Sequence, residues 1–310
     1  MINILFAAKP ASWAEYEAPL RHALDDTGLA YTLSPDTDDP ATVDYLVYAP
    51  NGPVSDFIPF TRAKAVLGLW AGVEGIVGNE TLKLPLARMV DYGLTEGMVE
   101  WVTGHTLRHH LGMDRHILGQ DGQWRDYVPP LARDRTVAVL GLGALGGACA
   151  QALAALNFNV VGWSRTQKDI AGITCMSGDD GLDQTLAQAE IIILLLPLTA
   201  GTENLLNAQR LGQMPKGAMI INPGRGPLID DDALLAALDT GQIDHATLDV
   251  FRVEPLPADH PYWAHPQVTV TPHIASETRP DSSARVIAEN IRRGETGEPF
   301  LHLVDRNAGY

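Results

Sequence analysis

Short apolar runs alternate with polar, proline-bearing connections along the first part of the chain: Ile2–Ala8, Tyr45–Tyr48, Ala65–Leu69 and Ala87–Val90. Helical periodicity over Trp13–Thr27 separates the first two. This alternation predicts a parallel sheet with crossover helices. A long helical stretch follows from Glu96 to Leu118, with Thr95 as its expected N-cap. The polar segment Gly119–Arg135 reads as a loop. Beyond it, strands are predicted at Val137–Leu140, Phe158–Trp163, Ile173–Met176, Glu190–Leu196, Ala218–Asn222, Ala246–Asp249 and Val268–Thr271. Helices fall between most of them. Asp230–Thr240 is the clearest, closed by Gly241 as its C′ residue. A final helix is expected over Glu277–Arg293. The pattern predicts two doubly wound α/β units, the second inserted into the first.

The segment Thr136–Thr166 changes the picture from fold to ligand. An apolar run leads directly into Gly141-Leu142-Gly143-Ala144-Leu145-Gly146, then a helical stretch, then a second apolar run. Strand, glycine turn, helix, strand is the order of a dinucleotide-binding unit. The first glycine permits the turn, the second lets a pyrophosphate approach the backbone, and the third lets helix and sheet pack closely. The helix N-terminus then offers N–H groups and a positive dipole end to phosphate. At the end of the second strand an NAD site calls for an acidic residue. This chain has Ser164-Arg165-Thr166, with Lys168 just beyond and no carboxylate before Asp169. A guanidinium stacks on adenine and pairs with a 2′-phosphate, so the reading is NADP(H).

Composition narrows the classes further. A 310-residue chain with 45% hydrophobic and 19% charged residues is that of an ordinary two-domain α/β protein. The formal net charge of −16 argues against nucleic-acid or anionic-membrane partners. Cys149 and Cys175 show neither metal-ligand spacing nor a disulfide framework, and no metal is expected. Ile2–Ala8 is too short for a signal sequence, and Ile191–Leu196, ended by Pro197, is too short to span a membrane. A cytoplasmic location is expected.

Three polar motifs sit where strands of the nucleotide unit should end. They are Asn222-Pro223-Gly224-Arg225-Gly226, Arg252-Val253-Glu254-Pro255-Leu256 and Thr271-Pro272-His273-Ile274-Ala275. Ligands of open α/β sheets bind beyond the carboxyl ends of the strands. With the glycine turn, Leu195-Leu196-Pro197-Leu198-Thr199 and Leu248-Asp249-Val250-Phe251, these motifs make the chain resemble the D-isomer-specific 2-hydroxyacid dehydrogenases, of the glyoxylate/hydroxypyruvate reductase A type. The resemblance extends to the tail Val304–Tyr310. Two departures stand out: Pro223-Gly224, where the family more often has apolar or alanine residues, and Ser164-Arg165, where NAD-using members carry an acid. The resemblance implies a flavodoxin-like substrate domain (residues 1–96 and 277–310) enclosing an NADP-binding Rossmann domain (97–276).

The chemistry follows residue by residue. A 2-oxo acid offers a carboxylate beside a ketone. Arg225 can fork onto the carboxylate and polarise the carbonyl. His273 is the expected general acid for the alkoxide left by hydride attack, with Glu254 holding its imidazole and favouring the protonated form. The resemblance implies the same trio. By position, Leu196, Pro197, Leu198, Thr199, Asn222, Pro223, Asp249 and Ala275 join the glycine turn as cofactor contacts, Asp249 reaching the carboxamide. The loop Trp70-Ala71-Gly72-Val73 can bind the substrate carboxylate through backbone N–H groups, and the resemblance places substrate there together with Arg225 and His273. Trp124 and Tyr127 lie in the loop before the nucleotide unit, where related reductases send an aromatic residue toward the neighbouring subunit. The expected partner is a small anionic 2-oxo acid, and the expected assembly a homodimer. Two readings stay open beside this one: a reductase of larger 2-oxo acids, and a nucleotide-sensing interaction protein of the co-repressor kind.

Overall fold

The computed structural model describes every residue except Asn307 and Tyr310. Those two members of the tail motif lie outside the described residues. The chain divides into two compact units, Met1–Leu94 with Glu277–Tyr310, and Thr95–Ser276.

The first unit is built on a parallel sheet of β1 (Ile2–Ala7), β2 (Tyr31–Ser34), β3 (Tyr45–Tyr48), β4 (Ala65–Gly68) and β5 (Leu86–Ala87), in the order β2-β1-β3-β4-β5. That is the flavodoxin-like order. Apolar residues pack both faces. Phe6, Tyr45, Val47 and Leu67 meet Leu20 and Leu24 of the helix Trp13–Asp25 and Ile287 and Ile291 of the helix Pro280–Thr296. Leu46, Tyr48 and Val66 meet Phe57, Phe60 and Leu82 on the other side. Strands covered on both faces carry the continuous apolar runs seen in the sequence.

The second unit has a parallel sheet of β6 (Thr136–Leu140), β7 (Asn159–Ser164), β8 (Thr174–Ser177), β9 (Ile191–Leu194), β10 (Ala218–Asn222), β11 (Ile243–Leu248) and β12 (Val268–Val270). Its order, β12-β11-β10-β9-β6-β7-β8, is the Rossmann order with one further strand. The chain winds outward from β6 in one direction and from β9 in the other. The switch point therefore falls between β6 and β9.

Three local expectations are corrected. The strand β2 was not anticipated, because only Leu33 of its four residues is buried. The long helix begins at Tyr92 rather than Glu96. Its cap is Asp91, whose Oδ1 accepts from the Leu94 N–H at 2.6 Å and whose Oδ2 accepts from the Ser282 hydroxyl at 2.8 Å. Thr95 lies within the helix. The helix also ends at Leu111, where Gly112 turns left-handed (φ 62°), and a separate short helix runs Met113–Ile117.

Inside the second unit this helix carries a buried imidazole. His109 bonds the Thr247 hydroxyl of β11 at 2.9 Å, and its ring lies 5.0 Å from that of His245. Burial, and then His245, push the His109 pKa down to about 3 from its ordinary 6.5. Above pH 6.5 the group is neutral whether the chain is folded or not. Below it, the unfolded chain alone takes up the proton, so stability falls with pH. Between pH 7.5 and 5.5 this group alone should remove about 1.4 kcal/mol of folding stability. Urea unfolding at the two pH values, compared with His109→Gln, should show the pH dependence shrink by that amount.

Candidate active site

All the chemically distinctive loops of the second unit leave the same edge of its sheet, since every strand is parallel. The glycine turn follows β6 and the Leu196–Thr199 loop follows β9, on either side of the switch point. Gly141 has φ +103°, and a Cβ there would overlap the Leu195 carbonyl. A Cβ at Gly146 would overlap the Gly141 carbonyl, so the helix Ala144–Ala155 abuts the turn only because that position is bare. Gly143, the N-cap, is different. It is exposed, faces open space, and carries no side chain to cap the first turn. The helix thus presents its first N–H groups outward beside Ala144 and Leu145. This cradle fits a dinucleotide pyrophosphate.

At the end of β7, Ser164 is buried and its hydroxyl donates to the Thr166 carbonyl at 2.8 Å. That hydroxyl hydrogen is spent inside the turn. Arg165, Thr166 and Lys168 are exposed. After β9, Thr202 closes the loop. Its hydroxyl donates to the Pro197 carbonyl at 2.7 Å and accepts from the Thr199 N–H at 2.8 Å. Sequence reasoning did not single out Thr202. A hydroxyl just past the strand-end loop, in Thr199-Ala200-Gly201-Thr202, was the available signal.

The polar constellation occupies the ends of β10, β11 and β12. Asn222 ends β10, buried, and ties its own loop shut. Its amide donates to the Arg225 carbonyl at 2.9 Å and its oxygen accepts from the Gly224 N–H at 3.1 Å. Arg225 follows in extended backbone, half-buried, with one guanidinium N–H donating to the Gly224 carbonyl at 2.6 Å. Gly226 lies so close to the Phe251 backbone that no side chain would fit, which sets the Arg225 loop against the loop after β11. In that second loop Glu254 Oε1 accepts from the Phe251 N–H at 2.8 Å, while Oε2 lies 2.6 Å from His273 Nδ1. The imidazole is half exposed. With Nδ1 on the carboxylate, Nε2 is the ring nitrogen left for a ligand.

Asp249 organises the turn after β12, and its side chain is fully buried. Oδ1 accepts from the Thr271 hydroxyl at 2.6 Å and the Ile274 N–H at 2.9 Å, and Oδ2 from the Ala275 N–H at 2.8 Å. Its backbone carbonyl accepts from His273 N–H at 2.9 Å. His273 itself sits in the left-handed region, φ +55°. A non-glycine residue holds that conformation only where its surroundings impose it. Asp249 imposes it by collecting the turn's donors, and Ala275 is buried with it.

In the first unit, Trp70-Ala71-Gly72-Val73 follows β4. Trp70 is exposed, and its carbonyl accepts from the Met89 N–H at 2.9 Å. The Val73 side chain belongs to the core of this unit. Tyr127 packs on Gly112, with the Arg115 guanidinium 4.5 Å from its ring centre. A cavity of about 330 Å³ lies elsewhere in the second unit, among Asp230, Asp231, Asp232 and Arg252. Its carboxylates repel an anion, and the Arg252 charge is paired with Asp231 at 3.4 Å. Among the described residues no group of three His, Cys, Asp or Glu could hold a metal ion, and no helix is long and apolar enough to cross a membrane.

Comparison with known proteins matches residues 103–275 to the D-isomer specific 2-hydroxyacid dehydrogenase, NAD binding domain. The chain belongs to this family. It is therefore an oxidoreductase, and within the family it is similar to the reductase A type. A glyoxylate/hydroxypyruvate reductase A of Serratia proteamaculans (strain 568) is 40% identical over 257 residues, spanning 80% of this chain and 82% of that protein. A D-isomer specific 2-hydroxyacid dehydrogenase from Xanthobacter autotrophicus Py2, solved in complex with NADPH and MES, superposes with a TM-score of 0.92. It is 40% identical, with 100% of this chain and 99% of that one covered. An NADPH-dependent glyoxylate/hydroxypyruvate reductase from Sinorhizobium meliloti, solved with NADP and sulfate, gives 0.88 at 34% identity with both chains fully covered (100%).

The Asp249 arrangement predicts its own test. Asp249→Asn keeps the size but turns an amide N–H₂ toward a donor. Unfolding in urea should show a loss of about 1–3 kcal/mol, the cost of one mispaired buried group. A neutral result would remove Asp249 from the turn's support.

Proposed function

We propose that the protein reduces small 2-oxo acids, glyoxylate and hydroxypyruvate, to 2-hydroxy acids with NADPH. The observation that carries this reading is the Glu254–His273 pair, 2.6 Å apart at the same sheet edge as Arg225 and the glycine cradle. NADP(H) is the cofactor of the similar structures from X. autotrophicus and S. meliloti. The exposed Arg165 and Lys168 after β7 suit a 2′-phosphate. When bound, NADPH supplies the hydride. Gly143, Ala144 and Leu145 would hold its pyrophosphate, and the Pro197 and Asn222 loops would flank it.

The chain's own residues do the rest. Arg225 fixes the substrate carboxylate and draws electron density from the ketone oxygen. As negative charge develops there, His273 gives up the proton on Nε2 to the alkoxide. Glu254 keeps the ring's other proton on Nδ1 and steadies the cation before transfer. In the oxidative direction the same nitrogen takes the proton back.

We also infer a homodimer. Leu118 (82% exposed), Trp124 (97%), Val128 (88%) and Leu131 (64%) leave apolar surface along one arm of the second unit. A stretch of that kind needs cover. A second copy of this chain is the expected occupant.

Turnover, cofactor binding and sedimentation test these readings. NADPH oxidation should occur with glyoxylate or hydroxypyruvate, and His273→Asn should lower kcat by about 10²–10⁴-fold while NADPH binding, followed by fluorescence, holds. Near-normal turnover in the variant refutes the acid assignment; saturable NADPH binding without turnover of any 2-oxo acid favours the sensor reading. Sedimentation should give the mass of two chains, and Val128→Asp with Leu118→Asp should give one. A monomeric wild type sinks the dimer.

A further inference from the structure

We propose that Gln167 is a positioning residue for cofactor choice: with Ser177 it clasps the β7–β8 connection so that Arg165 and Lys168 are held ready for a 2′-phosphate. The proposal rests on the NADPH reading above and adds a residue to it.

β7 and β8 pair in parallel, with Ser164 opposite Ser177 at their carboxyl ends. β8 is the edge strand of the sheet. The connection between them leaves the sheet at its least supported corner, yet it carries the two exposed cations. Gln167 spans that mouth. Its amide nitrogen donates to the Lys168 carbonyl and to the Cys175 carbonyl, both at 3.0 Å, and its oxygen accepts from the Ser177 hydroxyl at 2.9 Å. One side chain thus ties its own turn position and the residue after it to β8.

Ser177 supplies an independent sign that this contact is built. It occupies the N-cap of the helix Gly178–Gln188, where a serine ordinarily accepts a hydrogen bond from the first turn. Here it makes no such cap bond. Its hydroxyl goes to Gln167 instead. On the near side, Ser164 closes the same turn through the Thr166 carbonyl. The backbone at 165–168 is therefore pinned from both strands. Long cationic side chains lose less freedom on binding when their backbone is already fixed.

The physical consequence is selective. Only a ligand carrying a phosphate on the 2′-oxygen uses Arg165 and Lys168 together, so only that ligand feels the clasp. Loosening it should leave adenine and 5′-phosphate binding alone.

Calorimetry on the full-length protein tests this with adenosine 2′,5′-bisphosphate and adenosine 5′-monophosphate as probes. Gln167→Ala should weaken the bisphosphate by about fivefold, the ratio one ordinary net hydrogen bond is worth, and leave the monophosphate unchanged. Ser177→Ala should move the same probe in the same direction without lowering the melting temperature, because that hydroxyl caps nothing. Unchanged bisphosphate affinity in both variants overturns the clasp. Equal weakening of both probes also overturns it, since the effect would then belong to the adenine pocket. Arg165→Asp separates the two levels of argument. If the wild type prefers the bisphosphate and Arg165→Asp abolishes that preference, the NADPH reading stands whatever Gln167 does; a wild type with no preference removes both.

Discussion

The second unit depends on one buried carboxylate more than on any other polar group. Asp249 gathers the Thr271 hydroxyl and the N–H groups of Ile274 and Ala275, and its carbonyl receives the N–H of His273. These bonds hold His273 in a left-handed backbone, uncommon for a residue with a side chain. The strain has a use. It turns the side chain back toward Glu254, so that a residue from the end of β12 meets one from the loop after β11. Without the carboxylate, a buried set of donors would lose its acceptor, and the ring would lose its orientation.

The same economy governs the rest of the sheet edge. Each loop is closed by its own short polar contact: Asn222 for the Arg225 loop, Thr202 for the Pro197 loop, Ser164 and Gln167 for the basic turn. Each contact removes conformational freedom from its loop, which is entropy that binding of a ligand there would otherwise have to overcome. The glycine turn works by the opposite means. Gly141 and Gly146 bring backbone against backbone, and Gly143 leaves the helix end uncovered.

Charge on this molecule is local in its effect. A net charge of −16 surrounds a site meant for an anion. On the proposed reading Arg225, Arg165 and Lys168 answer it at short range, where an aqueous salt solution screens the distant carboxylates. The acidic cavity around Asp231 shows the alternative. It has the volume for a small acid and the wrong sign for one.

By itself the sequence determined the alternation of strand and helix, the Rossmann turn, the basic end of β7, and the pairing of Glu254 with His273. Each of these is written in contiguous residues: apolar runs buried on both faces of a sheet, glycines at fixed spacing, a polar motif at a strand end. Edge and cap details were not legible that way. β2 buries one residue of four and so lacks a pattern. The start of the long helix turned on Asp91, which also bonds Ser282, a residue 191 positions distant. Tertiary structure alone decided that Asp249 gathers the donors of the turn after β12, and that Ser177 bonds Gln167 rather than capping its helix. In both cases a side chain had more than one chemically sensible partner, and only the packing of segments apart in the chain set which one lay within 3 Å.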